Sequence, residues 1–267
     1  MLLHRVLTAL VFAPALFGLV WWGGLPLQIA TLGLVLLMLW EYLRLVMSEA
    51  GDLWTKGVAY ALSLGVVAAI FDWLPGRTAT WVLPLGTIVI LTTSLVRPEP
   101  LERALVRVAL CGLGVLYCAA LLPYLARLRA VDDVGLGMAL AALFCTWGAD
   151  TGAYFAGRAF GRHKLYPKVS PGKTIEGLFG GILAAVAVAF IVREIIGFAL
   201  PASYTVVLGV IAAVFGAVGD LCESLLKRSV GAKDSSQLIP GHGGVLDRFD
   251  GVIFVAPAVW IYWGMIG

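Results

Sequence analysis

The sequence predicts an all-α, polytopic helical membrane protein. Of its 267 residues, 61% are hydrophobic and only 13% are charged, whereas a soluble domain carries about 25% charged residues. The mean hydropathy is +0.96. The apolar runs continue over about 20 residues, the length of a helix that crosses the hydrocarbon core of a bilayer. They lack the two-residue alternation of a membrane β-barrel, which leaves helices as the spanning form.

Nine apolar segments predict nine transmembrane helices. The first follows His4 and Arg5, as a secretory signal would, but the segments after it favour a retained helix. The next four are joined by short loops and carry few polar residues, so residues 1–135 are expected to form a transmembrane scaffold. Glu41 and Arg44, at the end of the second segment, are expected to form an interfacial pair. In chain order the segments lie near residues 6–22, 25–47, 57–74, 79–96, 104–126, 134–156, 175–192, 205–226 and 249–266.

The distribution of Lys and Arg predicts the orientation of the chain, because these residues are enriched on the cytoplasmic side of membrane proteins. With nine spans and a cytoplasmic amino terminus, the outer segments hold only four of the 19 Lys and Arg residues, namely Arg77, Arg127, Arg129 and Arg193. Six tryptophans fall near the outer interface, as in an aromatic belt: Trp21, Trp22, Trp73, Trp81, Trp260 and Trp263. The sequence therefore predicts an N-in, C-out topology.

Residues 136–267 are expected to form a catalytic transmembrane half with two basic cytoplasmic loops. The first loop carries five cations and no acid: Arg158, Arg162, Lys164, Lys168 and Lys173. Cations without a counter-charge favour an external anion such as phosphate. The alternative is that these residues set the topology or bind lipid headgroups. The second basic loop connects the last two apolar segments.

Asp150 is an acidic residue within the sixth apolar segment, and Tyr154 lies one helical turn away on the same face. A carboxylate in this position must pair with a cation or metal ion, or become protonated. The alternative is a buried carboxylate held by a hydroxyl group or by an arginine of the next loop. We favour the functional interpretation.

A polar run precedes the seventh apolar segment. Ser170 and Pro171 predict a turn, and Thr174 predicts the start of a helix. The free N–H groups of a helix start can hold phosphate, and Lys173 adds positive charge. A P-loop is excluded because Pro167 stands where that motif needs glycine, and no strand is predicted before it. The alternative is an ordinary helix cap.

Two acids, a hydroxyl and a lysine follow one another at helical spacing at the inner end of the eighth segment. Asp220, Glu223, Ser224 and Lys227 stand at positions i, i+3, i+4 and i+7, so they share one stripe of a helix. Oxygen ligands on one stripe could hold a hard cation. The alternative is an internal salt bridge between Glu223 and Lys227.

A glycine-rich run over residues 240–251 precedes the last segment. Gly241, Gly243 and Gly244 allow the backbone to approach a ligand closely and to direct N–H groups at an anion. Asp247 opens the last segment, where the alternative is a simple N-cap. The run and the Asp220 stripe are joined by a short connection, which brings both to the same end of the last two helices.

Together these motifs resemble the signature of the CTP:phosphatidate cytidylyltransferases, the enzymes that make CDP-diacylglycerol. The family pattern is Ser-x-x-Lys-Arg, four residues, Lys-Asp, and then Pro-Gly-His-Gly-Gly-x-x-Asp-Arg-x-Asp. The chain meets this pattern from Ser224 to Asp250, and the segments around Asp150 and Ser170 also match the family. The resemblance covers the carboxyl-terminal half in detail and the rest in length and number of spans.

The resemblance implies the reaction of CTP with phosphatidate, which gives CDP-diacylglycerol and pyrophosphate with a divalent metal ion, usually Mg²⁺. Mg²⁺ prefers one or two carboxylates together with phosphate oxygens and waters. We expect Asp220 and Asp247 to hold it, with Asp150 and Glu223 behind them. A second, monovalent cation is left open, and a homodimer is suggested by the family.

The other expected roles follow from charge and position. The expected catalytic residues are Asp220, Asp247, Lys227 and Arg248. The expected substrate-binding residues are Ser170, Lys173, Thr174, Ser224, Arg228, Lys233, His242, Gly243 and Gly244. The expected partners are CTP, phosphatidic acid and membrane lipids, and no nucleic acid. We expect an integral protein of the bacterial inner membrane, with its active site on the cytoplasmic side.

Two other functions are open from the residues. A CTP-dependent lipid kinase would use similar carboxylates and cations, because spacing does not separate attack on the α-phosphate from attack on the γ-phosphate. An anion transporter would place charges near the membrane midplane, between repeated halves. The polar residues here gather at one interface, and the two halves differ, which disfavours the transporter.

Overall fold

A computed structural model describes residues 2–47, 53–96, 101–198, 200–239 and 243–266, and their side chains from residue 12 onward except at position 94. Within these ranges the chain forms ten α-helices and one two-stranded antiparallel hairpin. The helices are α1 (Leu2–Trp22), α2 (Gly24–Val46), α3 (Leu53–Ile70), α4 (Thr78–Val96), α5 (Leu101–Gly114), α6 (Tyr124–Arg129), α7 (Gly135–Phe160), α8 (Ile175–Ile196), α9 (Ala202–Ser229) and α10 (Leu246–Ile266). A π-helical turn, Val115–Ala119, follows α5, and the hairpin strands are β1 (Lys164–Tyr166) and β2 (Ser170–Thr174).

The predicted all-α membrane protein is confirmed at the level of fold class. Each of the nine predicted segments overlaps a helix, and the fifth covers α5, the π-helical turn and α6 together. In the described part of the chain, six helices are long and apolar enough to cross a membrane: Gly24–Val46, Leu53–Ile70, Leu101–Arg129, Ile175–Ile196, Ala202–Ser229 and Leu246–Ile266. Two shorter apolar helices cover Phe12–Trp22 and Thr78–Thr93. The count of nine spans stays a prediction.

The core of the protein is centred on α7. Its amino-terminal half is buried on all sides, since every residue from Gly137 to Leu143 is inaccessible to solvent. It packs against α8, α9, α10, α6 and α1. The charged residues of α7, Asp150 and Arg158, lie in its second half, where both are exposed together with Tyr154. Burial of the first half therefore fixes the helix that carries the polar end.

Small residues allow α7 and α8 to pack closely over their full length. A Cβ atom added at Gly152 would lie 2.8 Å from the Gly180 carbonyl oxygen and would also collide with the Ala184 methyl group. A Cβ atom at Gly181 would lie 2.9 Å from the Ala149 carbonyl oxygen. Without a hydrophobic driving force between helices in lipid, such close approach is a main source of helix association.

We expect Gly152→Ala to destabilise the protein by about 1–3 kcal/mol, because the new methyl group must push α8 away from α7. Gly33→Ala in α2 is the matched control, since a Cβ atom there meets nothing within 4 Å. That change should be neutral or stabilising by up to about 1 kcal/mol, as for glycine in an open helix position. Thermal unfolding in detergent compares the two. Equal stability of both variants would contradict the packing described.

The hairpin between α7 and α8 corrects one prediction. Ser170 was predicted to lie in a turn, but it lies in β2 and pairs with Tyr166 across the hairpin, as Lys164 pairs with Thr174. The prediction was wrong because strand pairing depends on a partner segment, which the local Ser-Pro pattern does not reveal. The predicted helix start is confirmed: Thr174 is the N-cap of α8, and its hydroxyl oxygen accepts a 3.1 Å hydrogen bond from the Gly177 amide.

Candidate active site

A cavity of about 420 Å³ lies between α7, α8, α9 and the hairpin. This volume is typical of a site for a small molecule. Half of the lining residues are small, which leaves the space open: Ala149, Ala153, Gly172, Gly177, Gly181, Ala213 and Ala217. The larger lining side chains are Asp150, Tyr154, Leu165, Lys173, Thr174, Leu178 and Asp220. The structure thus brings four of the predicted site residues, Asp150, Lys173, Thr174 and Asp220, to one cavity.

Lys173 and Asp220, which both line this cavity, form an ion pair. The Lys173 Nζ atom lies 2.7 Å from Asp220 Oδ2, and both side chains remain partly exposed, at 23% and 31%. The Ser224 hydroxyl donates a 3.2 Å hydrogen bond to Asp220 Oδ1. The pair therefore joins the hairpin to α9, and partial exposure leaves both charged groups within reach of a ligand.

Two further carboxylates, those of Asp150 and Asp250, lie beside this pair. Asp150 and Asp220 both line the cavity, and each lies close enough to Asp250 on α10 for like-charge repulsion. Lys173 is the cation that offsets the charge of Asp150. The Asp250 carboxylate accepts a 2.7 Å hydrogen bond from the Gly251 amide. Such a cluster favours binding of a cation.

The carboxylates fit a metal ion that brings most of its own ligands. Among the described residues, no group of three or more His, Cys, Asp or Glu side chains is placed to hold a metal ion. A cage made only of protein ligands is therefore not preformed there. Mg²⁺ is commonly held by one or two carboxylates plus substrate phosphates and water. Asp150 and Asp220 could supply the carboxylates, since both face the same cavity.

Lys227 forms a second ion cluster further along α9. Its Nζ atom lies 2.6 Å from Glu223 Oε2 and 2.6 Å from Asp247 Oδ1. The Glu223 side chain is completely buried, and its Oε1 atom has no hydrogen-bond partner among the described residues. The Glu223–Lys227 salt bridge, which was the alternative to a cation site, is therefore present. An orphaned buried carboxylate oxygen is costly, and a cation or a water molecule would satisfy it.

Asp247 holds the turn before α10 through its second oxygen. Asp247 Oδ2 accepts hydrogen bonds from the Ser235 amide at 2.9 Å, the Ser235 hydroxyl at 2.8 Å and the Gly244 amide at 2.7 Å. With Lys227 on Oδ1, both oxygens are occupied. Asp220 and Asp247, the predicted metal pair, therefore lie in two neighbouring ion clusters. The metal role of this pair stays a prediction.

Three further predicted cations, Arg228, Lys233 and Arg248, are exposed. Arg228 donates a 3.0 Å hydrogen bond to the Ala232 carbonyl oxygen. Gly243 has a φ of +81°, which favours glycine, and its carbonyl oxygen accepts a 2.8 Å hydrogen bond from the Ile239 amide. His242, with Pro240 and Gly241, lies outside the described residues.

Glu176 fixes the hairpin that carries Lys173. Its carboxylate accepts hydrogen bonds from the amides of Arg162, at 3.1 Å, and His163, at 3.2 Å, and lies 2.6 Å from His163 Nδ1. Because Glu176 is in the first turn of α8, these bonds tie the start of the hairpin to the helix that follows it. No role for Glu176 was predicted from the sequence.

We expect Glu176→Gln to loosen the hairpin, because an amide cannot accept these hydrogen bonds at both of its polar ends. Tryptic cleavage after Lys164 and Lys168 should become faster, and enzymatic activity should fall as Lys173 leaves Asp220. Glu194→Gln, an exposed change near the other end of α8, is the control. It should change neither the rate of tryptic cleavage nor the enzymatic activity. A Glu176→Gln protein with unchanged cleavage would contradict the role of this carboxylate.

Glu41, on α2, accepts hydrogen bonds from residues at the start of α10. The predicted interfacial pair between Glu41 and Arg44 was wrong. Arg44 is exposed and lies over the Trp40 ring, whereas Glu41 is fully buried. Its carboxylate accepts hydrogen bonds from the amides of Val245 and Leu246, at 2.9 and 2.7 Å. These partners lie 204 and 205 residues away, so no local pattern could have indicated them.

The fold and site define an integral membrane enzyme with a charged cavity at the ends of apolar helices. The profile of the Cytidylyltransferase family matches residues 3–266. A phosphatidate cytidylyltransferase of Staphylococcus saprophyticus is 33% identical over 260 residues, which cover 96% of this chain and 95% of that protein. A phosphatidate cytidylyltransferase of Bacillus subtilis is 40% identical over 148 residues, which cover 55% of this chain and 55% of that protein. A phosphatidate cytidylyltransferase of Staphylococcus epidermidis is 34% identical over 260 residues, which cover 96% of this chain and 95% of that protein. The chain belongs to the cytidylyltransferase family and is a nucleotidyltransferase.

Proposed function

We propose that this protein transfers the cytidylyl group of CTP to phosphatidate, giving CDP-diacylglycerol and pyrophosphate. The observation that carries the proposal is the cavity in which Lys173 and Asp220 form a partly exposed ion pair beside two further carboxylates. Relatives that align over almost the whole chain bear the name phosphatidate cytidylyltransferase. A charged cavity between apolar helices suits a reaction between a lipid and a soluble nucleotide.

The reaction requires charge neutralisation more than a strong base. A phosphate oxygen of phosphatidate is already anionic near neutral pH and attacks the α-phosphorus of CTP. The new P–O bond forms as the bond between the α-phosphorus and its bridging oxygen breaks, and pyrophosphate leaves with that electron pair. Two polyanions must therefore be held together in line. Lys173 is the cation in the cavity that can bind their phosphates.

A divalent metal ion, Mg²⁺, is part of this proposal. When bound, it would offset the charge that develops on the leaving pyrophosphate. Asp150 and Asp220 line the cavity and could hold it together with phosphate oxygens. Asp247 and Glu223 could contribute after Lys227 moves, since Lys227 now contacts both. Whether a second, monovalent cation binds stays open.

Three further exposed cations are proposed to bind the remaining phosphates. Arg228, Lys233 and Arg248 are exposed and occur in the motif that resembles the family signature. The glycine-rich turn around Gly243 and Gly244 is proposed to approach the triphosphate, with His242 beside it. Ser170 and Ser224 are proposed to contact substrate at the edges of the cavity.

The proposed topology has nine spans, with the amino terminus in the cytoplasm and the carboxyl terminus outside. Its support is the placement of 15 of the 19 Lys and Arg residues on the cytoplasmic side. The active site would then face the cytosol, where CTP is found, and the relatives named above are bacterial, which supports an inner-membrane location. The scaffold and catalytic halves, and a homodimer, stay predictions.

A product assay tests the function. Purified protein is incubated in detergent with phosphatidate, Mg²⁺ and CTP, and lipids and soluble products are identified by mass spectrometry. The proposal predicts CDP-diacylglycerol and pyrophosphate in equal amounts. A phosphorylated lipid together with CDP would instead identify a CTP-dependent lipid kinase. No conversion of either substrate would contradict the proposal and favour an anion transporter.

A further inference from the structure

Glu41, a buried carboxylate of α2, accepts hydrogen bonds from the turn that precedes Asp247. We propose that Glu41 is a positioning residue for cytidylyl transfer, acting on Asp247 through Ser235, Ser236 and residues 243–246. The inference rests on the proposed function and adds a residue to it. The hydrogen bonds of Glu41 within the described residues reach none of those that line the cavity, so its effect must pass through other residues.

The hydrogen bonds of Glu41 account for its burial. A buried carboxylate is costly unless several donors satisfy it. Glu41 Oε1 accepts from the Ser236 hydroxyl at 2.6 Å and the Val245 amide at 2.9 Å. Glu41 Oε2 accepts from the Leu246 amide at 2.7 Å and lies 3.1 Å from the Ser235 hydroxyl oxygen. Among the described residues, every donor to Glu41 lies in the run just before α10 or at its first residue.

Two of these donors are the backbone amides of Val245, just before α10, and of Leu246, its first residue. The first amides of a helix lack partners within the helix, and a negative charge is favourable at that end. Leu246 and Asp247 are the first two residues of α10. Glu41 therefore fixes the position and direction from which the Asp247 side chain projects.

Ser235 connects Glu41 to Asp247 directly. Its hydroxyl oxygen lies 3.1 Å from Glu41 Oε2 and 2.8 Å from Asp247 Oδ2. A hydroxyl carries one hydrogen, so it can donate to one of the two carboxylates at a time. Each carboxylate keeps three other donors in either case. The shared hydroxyl makes the two carboxylates parts of one network, so that disturbing one is expected to affect the other.

The glycine at position 244 supports the same network. A Cβ atom there would collide with the Ser235 hydroxyl oxygen and would lie 2.6 Å from each Glu41 carboxylate oxygen. The Gly244 amide donates to Asp247. The turn thus passes between the two carboxylates, and only a residue without a side chain fits in the space left.

The central test is Glu41→Gln, measured as kcat per folded molecule. We expect kcat to fall by about 10- to 100-fold, as when a supporting partner of an active-site carboxylate is removed, with little change in the KM for CTP. A glutamine must turn its NH₂ group towards one pair of these donors. Met38→Leu, a buried change one turn earlier in α2, is the matched control and should leave kcat unchanged.

Two further measurements separate positioning from general destabilisation. Amide hydrogen exchange at Val245 and Leu246 should accelerate in Glu41→Gln, while exchange elsewhere in the protein stays as in the wild type. In a cycle with Ser235→Ala, the double variant should lose less kcat than the product of the single losses, because both act on Asp247. If the losses multiply, or if Glu41→Gln keeps wild-type kcat, the proposal is overturned.

The experiment also distinguishes failure of this inference from failure of the proposed function. A wild-type protein that makes no CDP-diacylglycerol would refute the proposed function, and the exchange data would still show whether Glu41 holds the turn. If Glu41→Gln does not fold, Ser236→Ala removes one donor to Glu41 at a half-buried position. It should lower kcat in the same direction, and an unchanged kcat there would overturn the inference.

Discussion

Lys227→Met is expected to destabilise the folded protein by about 3–5 kcal/mol, because it leaves a buried carboxylate without its counter-charge. Glu223 is completely buried and Lys227 is 11% exposed. Within the described part of the chain, the Lys227 ammonium group is the hydrogen-bond partner of Glu223 Oε2, and Glu223 Oε1 has none. Activity should be lost as well, since Asp247 also loses its contact with Lys227. Thermal unfolding in detergent and the product assay measure the two effects.

A double variant separates charge from packing in this cluster. Lys227→Met with Glu223→Gln removes the buried negative charge together with its partner, so much of the lost stability should return. Activity should stay lost, because Asp247 still lacks Lys227. Lys56→Met on α3, outside both ion clusters, is the control and should change stability little. If the double variant is no more stable than the single one, the buried pair does not have the described energetic role.

Asp220→Asn is expected to lower kcat by at least about 100-fold while the protein stays folded, as when a group that stabilises developing charge is removed. Asparagine keeps the shape of the side chain and a carbonyl oxygen that can accept from Ser224. It loses the negative charge that pairs with Lys173 and that would hold a metal ion. The product assay at saturating CTP and phosphatidate measures this loss.

Asp72→Asn is the matched control for Asp220→Asn. Asp72 also forms an ion pair, with Arg127, but its side chain is 71% exposed and lies outside the cavity. An exposed ion pair contributes at most about 1 kcal/mol, so kcat should stay at the wild-type value. A near wild-type kcat for the Asp220→Asn variant would show that catalysis does not require the Asp220 carboxylate, and it would contradict the proposed site.

Much of the fold could be predicted because membrane helices leave a strong local signal. Each of the nine apolar segments coincides with helix, and the spacing of Asp220, Glu223, Ser224 and Lys227 predicted a shared helical stripe that the structure resolves into two adjacent clusters. The hairpin at Ser170 was missed, because pairing between short strands depends on residues on both sides of a turn.

The sequence indicated which residue types form the candidate site, but it did not indicate most of the contacts between them. The Lys173–Asp220 pair joins residues 47 positions apart, and Glu41 meets Ser235 across 194 positions. Such contacts are set by how whole helices pack, which no motif records. Asp250 was visible in the glycine-rich run but had no assigned role, because only the packing of α10 against α9 brings it near Asp220. Motifs indicated the chemistry, and tertiary packing decided which groups meet.

The most direct test of the account is a structure of the protein with a non-reactive CTP analogue and Mn²⁺, whose anomalous signal locates the metal ion. We expect the triphosphate to bind in the cavity between α7, α8 and α9, in contact with Lys173, and a Mn²⁺ peak to lie beside Asp220. A nucleotide bound outside this cavity, or a metal ion distant from Asp220, would contradict it.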